Sequence, residues 1–272
     1  MIEVQGLAKA FRQGRGRAAR SVPAVVAASF TAADACITGL LGANGAGKTT
    51  TLRCVAGLLL PDAGQVRVDG IDVAAAPRAA LARLGVLSDA RGLYPRLTAR
   101  ENIVYFGRLH GLSAAAADAR ASLLADVLDM RPLLGRRTEG FSQGERMKTA
   151  LARALVHNPS HIILDEPTNG LDVLSTRSLR DTLRRLRDEQ RTCIVFSSHI
   201  MQEVERLCDD VVVMAAGRTV ARGSVPALLA QTGQTDFERC FVQLAYGDRP
   251  PAEVTGSATG SATGSATGRA AG

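Results

Sequence analysis

The segment from Gly42 to Thr49, which reads GANGAGKT, constrains the fold of this chain more than any other. It matches the pattern G-x-x-x-x-G-K-[ST], in which glycines let the backbone curl so that successive N–H groups face a phosphate chain. A strand-like apolar run at 36–41 precedes it, and a helix-like run at 50–57 follows it. This order of strand, loop and helix predicts a nucleoside triphosphate site at the loop.

The sequence predicts distinct roles for the residues of this loop. The Lys48 ammonium is expected to reach the β- and γ-phosphates, and the Thr49 hydroxyl is expected to join the coordination shell of Mg²⁺. The N–H groups of the loop and of the helix start are expected to face the phosphates. The loop residues predicted to bind nucleotide are Gly42, Asn44, Gly45, Ala46, Gly47, Lys48 and Thr49.

Two acids, Asp165 and Glu166, follow another apolar run at 162–164. In phosphate-loop proteins an acid at the end of a buried strand holds Mg²⁺, often through water, and this is the role expected of Asp165. A second carboxylate beside it can accept a proton from an attacking water, so Glu166 is the candidate general base. Taken alone, the pair could equally be ordinary solvated acids at a strand end.

Three further motifs occur in order around the acidic pair. The segment 141–145 (FSQGE) precedes it, the segment 167–172 (PTNGLD) follows it, and His199 closes an apolar run at 192–198. Over residues 1 to about 225 the five motifs together resemble the ATPase subunit of an ATP-binding cassette (ABC) transporter. The resemblance implies an enzyme that hydrolyses ATP to ADP and phosphate, with Mg²⁺ as cofactor, and couples this reaction to transport.

The resemblance also implies roles for individual residues. Ser142 and Gly144 match the signature motif, which contacts the γ-phosphate bound to the opposing subunit. Asp172 would lie in the loop that crosses the dimer interface, and His199 would be the switch histidine that touches the γ-phosphate. Thr50 would be a further ligand of the phosphates.

Phe11 and Asp89 are two further candidate site residues. Phe11 occupies the place of the aromatic residue that stacks on adenine, and the alternative is a core phenylalanine on the first strand. The family commonly has a glutamine where this chain has Asp89. An acid could still accept Mg²⁺ through oxygen, but it adds charge and loses an amide donor, so Asp89 is a candidate metal ligand that departs from the family pattern.

The signature motif departs from the family pattern as well, with Gln143 for the usual glycine and Glu145 for the usual glutamine. The spacing Ser142-x-x-Glu145 predicts a capping box, in which each side chain satisfies a backbone N–H at a helix start. The carboxylate would then fold back to the cap and not confront the phosphate. Thr98-x-x-Glu101 predicts a second capping box.

Strand and helix patterns alternate at 36–60, 161–200 and 208–214, which predicts an α/β fold with a mostly parallel core sheet. An antiparallel edge subdomain is expected from strand-like segments at 1–30 and 64–73. A helical subdomain is expected at about 95–158, and in the family this part docks the membrane partner.

We expect the cassette to occupy residues 1–225, followed by a C-terminal extension at 226–250. The repeat of Thr-Gly-Ser-Ala from Thr255 onward has almost nothing to bury, so a disordered low-complexity tail is predicted at 251–272. The basic stretch at 12–20 and the apolar run at 22–28 together resemble a short secretory signal. Because they follow a strand-like start, we expect a loop between two strands there.

Composition is consistent with a peripheral protein at the cytoplasmic face of a membrane. Five cysteines without a C-x-x-C pair indicate reduced, buried thiols and predict neither a disulfide framework nor a zinc site. No apolar run reaches the length of a membrane span, so any membrane link is expected to come from a partner. The partners that the resemblance implies are an integral-membrane permease and a second ABC cassette, as homodimer or heterodimer.

The net charge of +7 raises an alternative, a soluble ABC ATPase that acts on nucleic acid or ribosomes. Its main support is a set of arginines at three-to-four spacing, Arg177, Arg180, Arg184 and Arg187. A solvated helix face is the more usual meaning of such spacing. The chain also has one cassette and none of the long inserts of repair-type members, so no nucleic-acid partner is expected.

Overall fold

The computed structural model describes residues 1–14, 20–88 and 92–247. Within these ranges the strands are β1 (Ile2–Gln13), β2 (Arg20–Ala32), β3 (Ile37–Leu41), β4 (Ala63–Val68), β5 (Ile71–Asp72), β6 (Leu84–Leu87), β7 (His161–Leu164), β8 (Cys193–Ser198), β9 (Asp210–Ala215) and β10 (Arg218–Gly223). The helices are α1 (Lys48–Val55), α2 (Pro77–Leu81), α3 (Ala99–Leu109), α4 (Ala114–Val127), α5 (Gln143–Leu155), α6 (Val173–Gln190), α7 (Met201–Leu207), α8 (Val225–Thr232) and α9 (Phe237–Tyr246). The strands form one sheet in the order β5-β4-β1-β2-β10-β9-β3-β8-β7-β6.

The core of the sheet consists of five parallel strands, β9, β3, β8, β7 and β6. Every residue of β3, β7 and β8 is buried, as expected for strands that are covered on both faces. Because these strands are parallel, their carboxyl ends share one edge of the sheet. The predicted α/β fold with a mostly parallel core sheet is confirmed.

The antiparallel edge subdomain is formed by β5, β4, β1 and β2. One expectation was wrong here: the apolar run at 22–28 is not part of a loop, since β2 already begins at Arg20 and pairs along β1. Val25 and Val26 are β-branched, and such residues pack well on a pleated, half-buried surface. A single parallel bridge between Arg218 and Ala27 joins β10 to β2.

Helices α3, α4 and α5 lie within the range expected for the helical subdomain, and both predicted capping boxes are present. Thr98 accepts a hydrogen bond from the Glu101 N–H at the start of α3, and the Glu101 carboxylate accepts one from the Thr98 N–H. Ser142 and Glu145 make the same pair of bonds at the start of α5. Each box satisfies N–H groups that the first turn of a helix leaves without a partner.

Asn102, fully buried on α3, organises the segment that precedes this helix. Its amide group donates to the carbonyl oxygens of Tyr94 and Thr98, at 3.1 and 2.9 Å, and its oxygen accepts from the Tyr94 N–H at 2.9 Å. The Asn102 side chain thus supplies hydrogen bonds that the irregular segment before α3 does not obtain from its own backbone. The result is a rigid approach to α3 that presents Tyr94 at the surface, with 45% of this residue exposed.

Helices α8 and α9 continue the main hydrophobic core, since Leu228, Phe237 and Phe241 belong to the same buried cluster as the core strands. The boundaries proposed for the cassette and the extension stay predictions. The tail at 251–272 and Asp89 lie outside the described residues. In the part of the chain that the structure describes, no helix has both the length and the apolar character that a membrane span requires.

Candidate active site

The loop between β3 and α1 wraps around the start of the helix. Gly47 caps α1 with φ of 97°, a conformation that L side chains rarely adopt, and a Cβ added there would lie 2.6 Å from the Ala24 carbonyl oxygen. Only glycine fits this position, because the loop packs directly on the β2 backbone. The first turn of α1 leaves N–H groups without an intrahelical partner, which is what anion binding at a helix start uses.

The Lys48 side chain is buried and lies along the loop. Its Nζ donates to the Gly42 carbonyl oxygen at 2.7 Å and approaches the Ala43 carbonyl oxygen at 3.3 Å. Nζ also lies 3.2 Å from Glu166 Oε1, an ion pair in which the two side chains are 5% and 12% exposed. A positive charge is thus held at the mouth of the loop in a poorly solvated setting, where its attraction for phosphate is only weakly screened.

A second set of contacts joins the loop to the end of β7. Thr49 Oγ1 donates to Asp165 Oδ1 at 3.0 Å, and Ser197 Oγ donates to the same oxygen at 2.7 Å. Ser197 Oγ in turn accepts from the Glu166 N–H at 2.9 Å. The buried Ser197 hydroxyl therefore fixes the two acids relative to each other.

Glu166 is the centre of the polar network. His199 Nδ1 lies 2.9 Å from Glu166 Oε2, on the side opposite the contact between Lys48 and Oε1. The backbone of Glu166 has φ of 47°, in the left-handed region that non-glycine residues seldom occupy. Such strained residues concentrate at functional sites, where the surrounding structure holds them in place.

These groups line one cleft of about 390 Å³. The predicted site residues that line it are Asn44, Gly45, Ala46, Gly47, Lys48, Thr49, Thr50, Glu166 and His199. Gly42 and Asp165 contact members of this group, as described above. Residues from three sequence regions that lie far apart therefore meet at the carboxyl edge of the core sheet.

The signature residues lie elsewhere, at the junction of α5 and α6. Ser142 caps α5, and a Cβ on Gly144 would lie 2.5 Å from Ser175 Oγ, so the starts of the two helices are in contact. Asp172 caps α6 by accepting from the Ser175 N–H and hydroxyl, and the backbone bond lowers the pKa of its carboxyl below the ordinary value. None of Ser142, Gly144 and Asp172 lines the described cleft of their own chain.

The Glu145 carboxylate folds back onto the start of α5. Its carboxylate accepts from the Ser142 N–H at 2.8 Å and from Arg136 Nη1 at 2.7 Å. The backbone bond and the guanidinium lower the pKa of this carboxyl. The negative charge that departs from the family pattern is therefore already neutralised within the chain.

Phe11 lies on β1, opposite Val22, and is 41% exposed. It is therefore not the core phenylalanine that was its alternative role. It does not line the described cleft, although Ala24 on the paired strand does. Stacking of Phe11 on adenine stays a prediction, as does the metal role of Asp89, which lies outside the described residues.

Sequence reasoning missed Ser197, which links the two acids. It also missed Ala24 and Asn169, which line the cleft. Ser197 is the penultimate residue of β8, and a hydroxyl two residues before the predicted switch histidine was the available signal. Ala24 contributes through its backbone, which carries no sequence signal. Asn169 lies within the segment at 167–172, where only Asp172 was given a role.

Comparisons with known proteins agree with the geometry. Residues 26–169 match the family described as ABC transporter. The ABC transporter ATP-binding protein NatA of Bacillus subtilis (strain 168) is 45% identical over 222 residues, which cover 81% of this chain and 90% of that protein. The Nod factor export ATP-binding protein I of Paraburkholderia xenovorans (strain LB400) is 41% identical over 202 residues, which cover 74% of this chain and 66% of that protein.

Among solved structures, one described as the ATP-binding subunit of an ABC transporter superposes with a TM-score of 0.77 at 27% identity. The superposition covers 89% of this chain and 98% of that chain. Fold and site thus define a phosphate-loop ATPase of the cassette class. The chain belongs to the family of ABC transporter ATP-binding proteins, whose members hydrolyse ATP to drive a transporter.

Substituting Ser197 by Ala tests the link between the two acids. The variant should bind ATP like the parent but hydrolyse it on the order of tenfold more slowly, since a buried hydrogen bond between positioned groups contributes about 1–3 kcal/mol. Phosphate release gives the rate, and a fluorescent ATP analogue gives the affinity. Ser198→Ala is the matched control, because its hydroxyl accepts from the Ile200 N–H and does not contact either acid. Equal rates for Ser197→Ala and the parent would contradict the role.

Proposed function

We propose that this chain binds ATP between its own phosphate loop and the signature motif of a second cassette, and that hydrolysis drives export through a membrane permease. The observation that carries the proposal is the placement of Glu166 between Lys48 and His199 beside the loop. The carboxylate, ammonium and imidazole groups that the proposed reaction uses all line the same cleft.

The chemistry follows from this arrangement. Loop N–H groups and Lys48 hold the β- and γ-phosphates, and the in-line water approaches from the side of Glu166. Glu166 accepts a proton from that water as it attacks the γ-phosphorus, and the bond to ADP breaks. His199, held at 2.9 Å from the same carboxylate, contacts the γ-phosphate and fixes the direction of the base.

The donor set beside the loop fits Mg²⁺. Thr49 Oγ1 and Asp165 Oδ1 lie 3.0 Å apart, and both are oxygen donors of the kind that this hard cation selects. Thr49 and Asp165 would hold Mg²⁺ there, and the ion would supply positive charge that offsets negative charge on the phosphates. Asp165 is held by the Ser197 hydroxyl, which orients it towards the loop.

A second cassette is needed because the signature motif does not line the cleft of its own chain. The capped start of α5 presents the Ser142 hydroxyl and the positive end of a helix, which together suit a phosphate. Next to Asp172, the apolar side chains Val173 and Leu174 are 81% and 78% exposed. Exposed apolar residues beside an anion-binding helix start are typical of a face that another subunit covers.

We infer that the permease contacts an aromatic cluster on the helical subdomain. Tyr105 lies edge-on to Tyr94 and Phe106, with centroid separations of 5.6 and 5.7 Å. Tyr94 and Tyr105 are 45% and 44% exposed, and the Asn102 network holds the backbone beneath Tyr94. Rigid exposed aromatic residues are the usual anchors of protein interfaces. Export is supported by the printed name of the Nod factor export relative.

Nucleic-acid binding finds less support. Three arginines of the stripe on α6 lie beside acids of the same chain: Arg180 lies 3.7 Å from Glu203, Arg184 lies 3.9 Å from Asp181, and Arg187 bonds Asp209. Side chains that are neutralised within the chain contribute little to the counterion release that drives binding to phosphate backbones.

The substitution Glu166→Gln tests the base. It keeps the shape of the side chain but removes the proton acceptor, so phosphate release should fall by on the order of 10²–10⁴. ATP should still bind, because the loop N–H groups and Lys48 remain. The variant should therefore form a dimer with Mg-ATP and dissociate without it, as size-exclusion chromatography would show.

Lys48→Ala is the control for this experiment, since it should lose ATP binding itself. Turnover by Glu166→Gln at the parent rate would exclude Glu166 as the base. A Glu166→Gln variant that stays monomeric with ATP bound would show that a different cassette must supply the signature motif.

Removal of the Tyr105 ring tests the permease contact. Tyr105→Ala should leave the phosphate release of the isolated chain unchanged, because the residue lies outside the cleft. Its affinity for the permease partner should fall about thirty-fold, corresponding to the loss of about 2 kcal/mol at an aromatic anchor. Pull-down from detergent extracts measures this, with the exposed Leu123→Ala on α4 as control. Equal recovery of both variants would place the contact elsewhere.

A further inference from the structure

A second cluster of chemically active side chains lies at the amino edge of the core sheet. His161 and Cys193 are the first residues of β7 and β8 and are direct partners in the parallel register, so their side chains share one face. Both are buried, at 1% and 0% exposure. Asp34 lies next to them in the turn between β2 and β3. The nucleotide cleft is at the carboxyl edge of the same strands, so the two places are distinct.

Asp69 determines the tautomer of His161. The ring Nε2 lies 2.8 Å from Asp69 Oδ1, and an ionised carboxylate can only accept, so Nε2 carries the hydrogen. Burial alone would raise the pKa of Asp69, but hydrogen bonds from the Met1 amine, His161 and Arg83 hold it well below the ordinary value. The other ring nitrogen, Nδ1, therefore presents a lone pair.

That lone pair is buried and unsatisfied. Among the described residues, His161 Nδ1 has no hydrogen-bond partner, and the nearest acidic oxygen, Asp34 Oδ1, lies 3.9 Å away. Buried polar atoms almost always have a partner, and those without one call for an explanation. One ligand atom each from Asp34, His161 and Cys193 lies within 4.8 Å of the other two.

We propose that Asp34, His161 and Cys193 form a binding site for a divalent transition-metal ion of the Zn²⁺ type. An imidazole nitrogen, a sulfur and a carboxylate oxygen form a donor set typical of zinc, whereas Mg²⁺ and Ca²⁺ take oxygen ligands. Asp69 accepts a hydrogen bond from the other ring nitrogen of His161 and would so orient the histidine, as carboxylates behind metal-bound histidines do. Asp34 has 57% of its side chain exposed, which leaves room on its side for a water as fourth ligand.

Metal binding here must displace a proton and a competing cation. Burial raises the pKa of the Cys193 thiol to about 12, so the thiol proton is released to solvent as the sulfur–metal bond forms. The Met1 amine hydrogen-bonds Asp34 and Asp69, and it competes with the metal for the Asp34 carboxylate. The bound ion would connect the starts of β7 and β8 to the turn that follows β2, and its effect would therefore be on stability.

Cobalt provides the direct test, because a thiolate bound to Co²⁺ gives a sulfur-to-metal charge-transfer band in the near ultraviolet. Full-length, tag-free protein is treated with chelator and titrated with Co²⁺ in the absence of nucleotide. We expect one equivalent to produce this band together with visible bands of tetrahedral intensity, and Zn²⁺ to remove both. Zn²⁺ should also raise the Tm of the parent. Co²⁺ at the nucleotide cleft cannot mimic the band, since no sulfur lines that cleft among the described residues.

Variants identify the ligands. Cys193→Ala should abolish the band and the Zn²⁺-dependent rise in Tm. Asp34→Asn should weaken Co²⁺ binding by at least about tenfold, since even the loss of a residue that only hydrogen-bonds a metal ligand costs this much. Asp34 lies in an exposed turn, so this substitution should not impair folding. Cys36→Ala is the matched control, because Cys36 lies near Cys193 but is not a member of the cluster. Absence of the band in the parent, its persistence in Cys193→Ala, or full affinity in Asp34→Asn would overturn the proposal.

Discussion

The parallel hydrogen bonding of β3, β8 and β7 is the constraint on which the nucleotide site depends. Leu41, Ser198 and Leu164 end these strands at one edge of the sheet, although more than a hundred residues separate the first from the others. The phosphate loop, the acidic pair and His199 follow directly from those three ends. A pairing shifted by one residue would move every side chain of a strand to the other face and would separate the groups that act together.

Strand pairing alone does not position Asp165 and Glu166, and side-chain hydrogen bonds complete the geometry of the site. Ser197 on β8 holds Asp165 through its hydroxyl and accepts from the Glu166 N–H, so neighbouring strands exchange hydrogen bonds beyond the ladder itself. Glu166 in turn contacts Lys48 and His199 with its two carboxylate oxygens. These contacts account for the left-handed backbone of Glu166, since several partners hold a conformation that is unfavourable on its own.

Local patterns allowed much of the fold and site to be predicted from the sequence. The phosphate loop and both capping boxes depend on residues a few positions apart, so their spacing carries the information. Ser197, Ala24 and the pairing of His161 with Cys193 depend on register between distant strands, which spacing cannot reveal. The run at 22–28 was assigned to a loop because it follows a strand-like start, whereas its β-branched residues pair along β1. Roles that involve a second chain, as proposed for Ser142 and Asp172, stay predictions, because neither residue lines the described cleft of its own chain.

Two chains are proposed to share each ATP site, and a mixing experiment tests this sharing most directly. Lys48→Ala removes the phosphate loop of one chain, and Ser142→Arg blocks the exposed signature of the other, so each variant alone should be inactive. In an equimolar mixture, heterodimers combine the intact loop of one variant with the intact signature of the other. We predict that phosphate release reappears on mixing and rises with protein concentration. Two results would contradict this sharing. One is ATP hydrolysis by Ser142→Arg alone at the parent rate, and the other is a mixture of folded variants that stays inactive.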